Sequence, residues 1–192
     1  MLRELVLKCR SYRRFYEAEP VSMEILRELV DLARLVASGS NKQPLKYILS
    51  NSPETNDKIF SCLRWAGQLK DWGGPIEGEH PAAYILVLGD KDIQPSFGVD
   101  HGIAAQTILL GAVERGYGGC MLGAVDRPKL SKLLDITAHL EILLVIALGN
   151  PKETVVIDEL LPGKNSAYYR DAKQVHHVPK RRLEDIILAE YE

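Results

Sequence analysis

Asp100-His101-Gly102-Ile103-Ala104-Ala105-Gln106-Thr107-Ile108-Leu109-Leu110-Gly111-Ala112-Val113-Glu114-Arg115-Gly116-Tyr117-Gly118-Gly119 is the stretch that decides the fold. No Asp, Glu, Lys or Arg occurs from His101 to Val113. The pattern predicts a helix from about Gly98 to Arg115, stopped by the glycines that follow. Ile103, Thr107, Leu110 and Gly111 fall on one side of it, and Ala104, Ala105, Ile108, Leu109 and Ala112 on the other. A helix that is apolar all round is buried all round. In a chain of 192 residues, one of those faces is expected to meet a second subunit.

Outward from this helix lie two apolar runs of strand length, Ala82–Leu88 (AAYILVL) and Ile142–Leu148 (ILLVIAL). Neither alternates with polar residues, so each is predicted to be a strand covered on both faces. Lys46–Ser50 and Cys120–Leu122 read as further short strands. Leu2, Leu5 and Val6 suggest a first short helix. Ser22 is a suitable N-cap for a second, which Ile25, Leu26, Leu29, Val30, Ala33 and Val36 continue at helical spacing up to Gly39. Pro53 opens a helix to about Leu63, and Pro128–Leu134 reads as another. Residues 65–80, rich in Gly, Trp and Pro, read as a loop or lid. Beyond Leu160 the apolar pattern thins. The tail, 161–192, has no core of its own in the sequence and is expected to cross to a partner subunit. Irregular alternation of helices and strands predicts an α+β fold in a single domain, 1–192.

Composition narrows the function. The chain is 46% apolar and 26% charged, with a net charge of -2 and a pI near 6.2. That balance argues against a nucleic-acid partner, which needs a basic surface. No apolar run approaches the length of a membrane span, so no membrane role is expected. Cys9, Cys62 and Cys120 form no C-x-x-C pair, and a reduced, cytoplasmic protein is expected. The fingerprints of a Rossmann dinucleotide site, a P-loop and a hydrolase nucleophile elbow are all missing. No metal site is expected; the adjacent His176-His177 reads as a solvated feature of the tail.

Against that near-neutral background, Arg10-Ser11-Tyr12-Arg13-Arg14-Phe15 stands out. Guanidinium forks match phosphate oxygens. The run reads either as a phosphate cradle or as a solvated basic face. Ser38-Gly39-Ser40-Asn41-Lys42-Gln43-Pro44 is either a loop of ligand-binding donors and acceptors or a plain helix-to-strand turn. The glycines around Cys120-Met121-Leu122-Gly123 either admit a flat ligand to the backbone or make a tight turn with a bulge. Lys180-Arg181-Arg182 is a second basic cluster, either a surface patch or a partner to the first at one phosphate.

Taken in order, these segments resemble the FMN-dependent nitroreductase family over nearly the whole chain. Arg10–Phe15 is similar to its phosphate-binding R-S-x-R-x-F, Ser38–Pro44 to its S-x-x-N-x-Q-P loop, and Asp100–Gly119 to its central interface helix. Cys120–Gly123 takes the place of its flavin-contacting strand end, and Leu144–Pro151 of its L-x-x-x-L-G-x-P strand. The resemblance implies a nitroreductase-like fold, a small mixed β-sheet packed by helices with the long central helix at the interface of a homodimer. It implies FMN held at that interface. Arg10, Ser11, Tyr12, Arg13 and Arg14 belong to the cofactor site so implied, with Lys180 and Arg182 of the tail at the phosphate. Ser38, Asn41 and Gln43 belong to it as well, Asn41 and Gln43 coming from the partner. Backbone groups of Cys120, Met121, Leu122 and Gly123 face the ring, and Gln68 its pyrimidine edge.

The implied activity is an oxidoreductase that takes hydride from NADH or NADPH and passes electrons to a nitro compound, quinone or similar small acceptor, in ping-pong fashion. The flavin carries the chemistry, so no catalytic side chain is assigned; Arg13 or Arg14 is the candidate stabiliser of charge on the reduced ring. Two departures bear on the acceptor. Residues 63–81 are too few for the covering helices of larger members, leaving Trp65 and Trp72 as a roof. Met121-Leu122 stand where some members carry an acidic residue. A flavin-binding protein with a sensing or storage role and little turnover is the alternative, and a non-flavin interaction module a second.

Overall fold

The computed structural model describes residues 1–192. The elements run α1 (Leu2–Lys8), α2 (Met23–Arg34), β1 (Leu45–Ser50), α3 (Pro53–Phe60), β2 (Ala83–Asp90), α4 (Asp100–Glu114), β3 (Gly118–Leu122), α5 (Arg127–Leu133), β4 (Leu140–Gly149), β5 (Val155–Glu159), β6 (Tyr169–Arg170) and β7 (His176–Lys180). The α+β reading holds, and every helix and strand expected before residue 150 is present.

The main sheet has the order β1-β2-β4-β3, and all three pairings are antiparallel. Mixed pairing is confined to a second, small sheet, β5-β7-β6, where β5 runs parallel and β6 antiparallel to β7. No local sequence pattern announced these last three strands.

All eight residues of β2 are buried. An antiparallel strand reaches that state here because helices cover both faces of the sheet. Side chains of a strand alternate between faces. Ile85, Val87, Ile146 and Leu148 meet Leu26 and Leu29 of α2 and Ala104 and Ile108 of α4 on one side. Tyr84, Leu86, Leu88, Val145 and Ala147 meet Ile59 of α3, Leu130 of α5 and Trp65 on the other. Each fully buried aliphatic chain contributes roughly 1.5–3 kcal/mol to the fold. α2 begins as expected, with Ser22 Oγ accepting from the Ile25 amide at 3.2 Å.

α4 buries one face against its own chain, through Ala104, Ala105, Ile108, Leu109, Gly111 and Ala112. Gly102, Ile103 and Gln106 are exposed, and Thr107, Leu110 and Val113 half-exposed, along the other. Gly111 belongs to the inner face, against its expected side: a Cβ there would lie 2.6 Å from Leu32, so its absence admits α2.

The glycines before β3 are also structural. A Cβ on Gly118 would strike Tyr12 and Pro151, and one on Gly119 would lie 2.5 Å from the Ala147 carbonyl. These positions are filled by the protein itself, which rules them out as gaps for a ligand. Gly123, past the strand, is exposed, and a Cβ there would meet Leu144 at an ordinary contact distance of 4.0 Å. The tail is divided. Residues 169–180 build β6 and β7 on their own subunit, whereas Leu183, Ile186, Leu188 and Tyr191 beyond them are exposed. Gly119→Ala is expected to lower stability by about 1–3 kcal/mol, because the clash is with backbone that cannot turn aside; urea denaturation measures it.

Candidate functional site

The arginine run lies extended beside β3. Ser11 pairs with Gly119 in a parallel bridge, and the Tyr12 amide donates to the Gly119 carbonyl at 3.0 Å. Phe15, fully buried, pairs with Pro151. The run is thus fastened to the sheet edge at two points. Ser11 and Arg13 both lie against the Cys120 thiol. Burial pushes that thiol's pKa up, and the Arg13 charge and Ser11 hydroxyl pull against it.

The three arginines have different surroundings. Arg14 is neutralised: its Nε and Nη2 donate to the two oxygens of Glu79, each at 2.6 Å. Those hydrogen bonds hold the Glu79 carboxyl below its ordinary range, with Lys152 at 3.3 Å helping. Arg10 donates from Nη2 to the Val6 carbonyl at 2.6 Å, while its Nε is buried without a partner. Arg13 is 9% exposed. Its Nη1 donates to the Ser11 carbonyl at 3.1 Å and lies 3.3 Å from Nε2 of His176, with the guanidinium 4.9 Å from the Tyr168 ring centre. Neither Arg10 nor Arg13 has a carboxylate in ion-pair range. Because guanidinium stays charged at any ordinary pH, the edge of β3 carries two uncompensated positive charges.

Glu153 builds this arrangement. Its side chain is 0% exposed. One oxygen accepts from the Arg13 backbone amide and the other from Arg170 Nη2 at 2.8 Å. Arg170 in turn covers the Trp72 ring at 4.2 Å. Trp72 is therefore held by the chain's own tail, while Trp65 is buried in the second core and does not roof a pocket. Gln68 is exposed, and its backbone N–H donates to the Tyr168 hydroxyl at 3.3 Å.

His176 corrects the sequence reading of a solvated tail. It is 1% exposed, and burial, followed by the charges of Arg13, Arg170 and His177, pushes its pKa down to about 4. His177 bonds Asp158 at 2.8 Å and stacks on Tyr169. Glu153, Tyr168, Arg170 and His176 were all missed from sequence. Each acts through a contact with a residue far along the chain, and no local spacing announces it.

Ser38, Asn41 and Gln43 lie elsewhere. Ser40, Asn41 and Gln43 adopt positive φ, so the loop needs an anchor. Asp100, the buried first residue of α4, provides it: its carboxylate accepts from the Ser38 hydroxyl at 2.6 Å and the Gly39 amide at 3.0 Å. Ser38 Oγ then accepts from the Gln43 amide at 2.9 Å. The loop is thereby tied to the start of α4, whereas Cys9, beside Arg10, meets Gln106 in mid-helix. At 1.5 Å per residue, Gln106 is about 9 Å along the axis and the end of the helix about 21 Å. No hydrogen bond or ion pair joins the loop to the arginine run within one chain. Lys180 and Arg182, at and just past the end of β7, are not joined to it either. Arg182 is engaged by Glu184 at 3.2 Å and Asp185 at 3.4 Å.

Two outcomes follow from these anchors. Asp100→Ala removes the acceptor of the Gly39 amide, so that amide should exchange with deuterium markedly faster, with a stability loss of about 1–3 kcal/mol. The Arg14–Glu79 pair adds stability that is present above the ordinary carboxyl pKa of 4.5 and is lost as acid protonates Glu79. Glu79→Gln should flatten that acid limb of the melting curve and weaken the fold at neutral pH.

The family model "Nitroreductase family" matches residues 6–150. A Cr(VI) reductase of Pseudomonas sp. (strain G-1) is 25% identical over 84% of this chain and 71% of its own. A protein named as the NAD(P)H nitroreductase MhqN of Bacillus subtilis is 24% identical over 77% of this chain and 87% of its own. A nitroreductase-type structure from Desulfovibrio desulfuricans, solved in complex with FMN, superposes with a TM-score of 0.70 at 24% identity, covering 100% of this chain and 97% of that one. No helix here is long and apolar enough to cross a membrane. By its family match and its fold, the chain belongs to the nitroreductase family.

Proposed function

We propose that the protein is an FMN-dependent oxidoreductase that takes hydride from NADH or NADPH and reduces a small acceptor such as a quinone or nitro compound. The observation that carries this reading is the pair of buried or half-buried arginines without carboxylate partners, Arg10 and Arg13, in the run that pairs with β3 at Gly119. A buried donor without a partner costs about 1–3 kcal/mol, and an anionic ligand offsets that cost. The residues present fit a phosphate joined to a flat ring.

Arg10 and Ser11 hold the phosphate in this reading. Arg13 places its charge where negative charge develops. Arg14 is committed to Glu79, so the choice between the two arginines falls on Arg13. Backbone groups of Cys120–Gly123 line the ring. Of the tail cations, Lys180 has no ion pair and is favoured for the phosphate; Arg182 must first exchange its acidic partners. Bound FMN supplies the redox chemistry, accepting hydride from the nicotinamide and delivering electrons to the acceptor.

The open face of α4 supports a homodimer. Packing two copies across it brings Ser38, Asn41 and Gln43 of one chain toward the arginine run of the other, which a single chain cannot do. Gln68 belongs to the ring's edge in this assembly. Titration of the purified protein with FMN, followed by quenching of flavin fluorescence, is the test. Arg13→Ala should weaken binding about tenfold or more, the loss of a charge-assisted contact of ~1.4 kcal/mol or greater. A wild-type protein that is colourless and takes up no FMN overturns the reading. Oxidation of NADH or NADPH with a quinone or nitro acceptor then tests turnover.

A further inference from the structure

We infer that His176 is a positioning residue that, with Tyr168, holds the Arg13 guanidinium in place while leaving its charge uncompensated. The inference rests on the reading of Arg13 as a flavin-site cation. The contrast among the arginines of this region supports it. Arg14 and Arg170 are each closed by a carboxylate, Glu79 and Glu153. Arg13 is held at its guanidinium by neutral groups alone: a backbone carbonyl, an imidazole nitrogen and the face of a phenol ring.

The imidazole has a defined form. Arg13 can only donate, so Nε2 of His176 accepts and the proton sits on Nδ1. That Nδ1 is buried and has no partner. Burial at 1% exposure, with Arg13, Arg170 and His177 around it, keeps the ring neutral at physiological pH. A carboxylate in this place would also fix Arg13, but would cancel its charge. A protonated imidazole would repel it. Neutral imidazole is the side chain that does neither. The half-buried Tyr168 ring adds a cation–π contact that likewise brings no countercharge. The ring of Tyr168 lies against His176 itself, 5.1 Å between centroids, so the two act as one clamp.

The test compares wild type with His176→Gln, His176→Ala and His176→Glu, each checked for a wild-type circular dichroism spectrum. In the protein without FMN, nitrogen-15 NMR of the imidazole should show the Nδ1–H tautomer, and Arg13→Gln should shift the Nε2 resonance. With FMN bound, His176→Gln keeps an acceptor oxygen and should leave FMN affinity and reduction potential near wild type. His176→Ala frees the guanidinium and should weaken FMN binding severalfold. His176→Glu neutralises it, and should cut the preference for reduced over oxidised flavin about tenfold, a potential lower by roughly 30 mV for a two-electron couple. A folded His176→Glu protein with wild-type affinity and potential overturns the inference, as does the Nε2–H tautomer. A wild-type protein that takes no FMN overturns the proposed function instead, and the NMR measurement then decides the clamp alone.

Discussion

A single buried carboxylate governs the geometry of the arginine run. Glu153 joins the backbone of Arg13 to the side chain of Arg170, tying the start of the chain to its tail. Burying a charge is tolerated only when it is paired and hydrogen-bonded, and Glu153 meets both conditions. Because it spends itself on a backbone amide and on Arg170, it does not quench Arg13. The tail lies over the arginine run and Trp72 as a consequence. Without this carboxylate, the Arg13 backbone amide and the Arg170 guanidinium would lose the acceptor they share.

The same principle explains the loop at the start of α4. Three residues with positive φ cannot hold their shape by local preference. A buried aspartate at the head of the helix accepts from the loop's hydroxyl and amide, and so sets it. In both places an acidic residue acts as a hub for donors and is not itself a ligand group. The sheet only needs to supply a rigid edge, which the dry packing on both faces of β2 and β4 provides.

Much of this was legible in the sequence. α4, β2 and β4 are uninterrupted apolar runs, and only burial explains such runs. The arginine run and the polar loop were visible as local departures from composition. The strands β5 to β7 were not, because Val155–Glu159 and His176–Lys180 are short and partly polar, the second contains a proline, and they pair with each other across the intervening chain. The separate fates of Arg13 and Arg14 were hidden for the same reason. Adjacent identical residues differ only in which carboxylate they meet, and Glu79 and Glu153 carry no mark of that in their own neighbourhoods. Gly118 and Gly119 gave the right position but left the reason open, and the reason is crowding by Tyr12, Pro151 and the Ala147 carbonyl.

Cys120 is the middle residue of β3, the strand proposed to line the flavin, with Ser11 and Arg13 beside it. A thiol reacts with oxidants and electrophiles as its thiolate. The positive charge of Arg13 favours that form, but burial opposes it and prevails. The sulfur therefore stays protonated and buried. Within the proposed flavin site this cysteine serves as packing, shielded by its burial from the sulfenic and disulfide chemistry that an exposed thiol in the same position would invite.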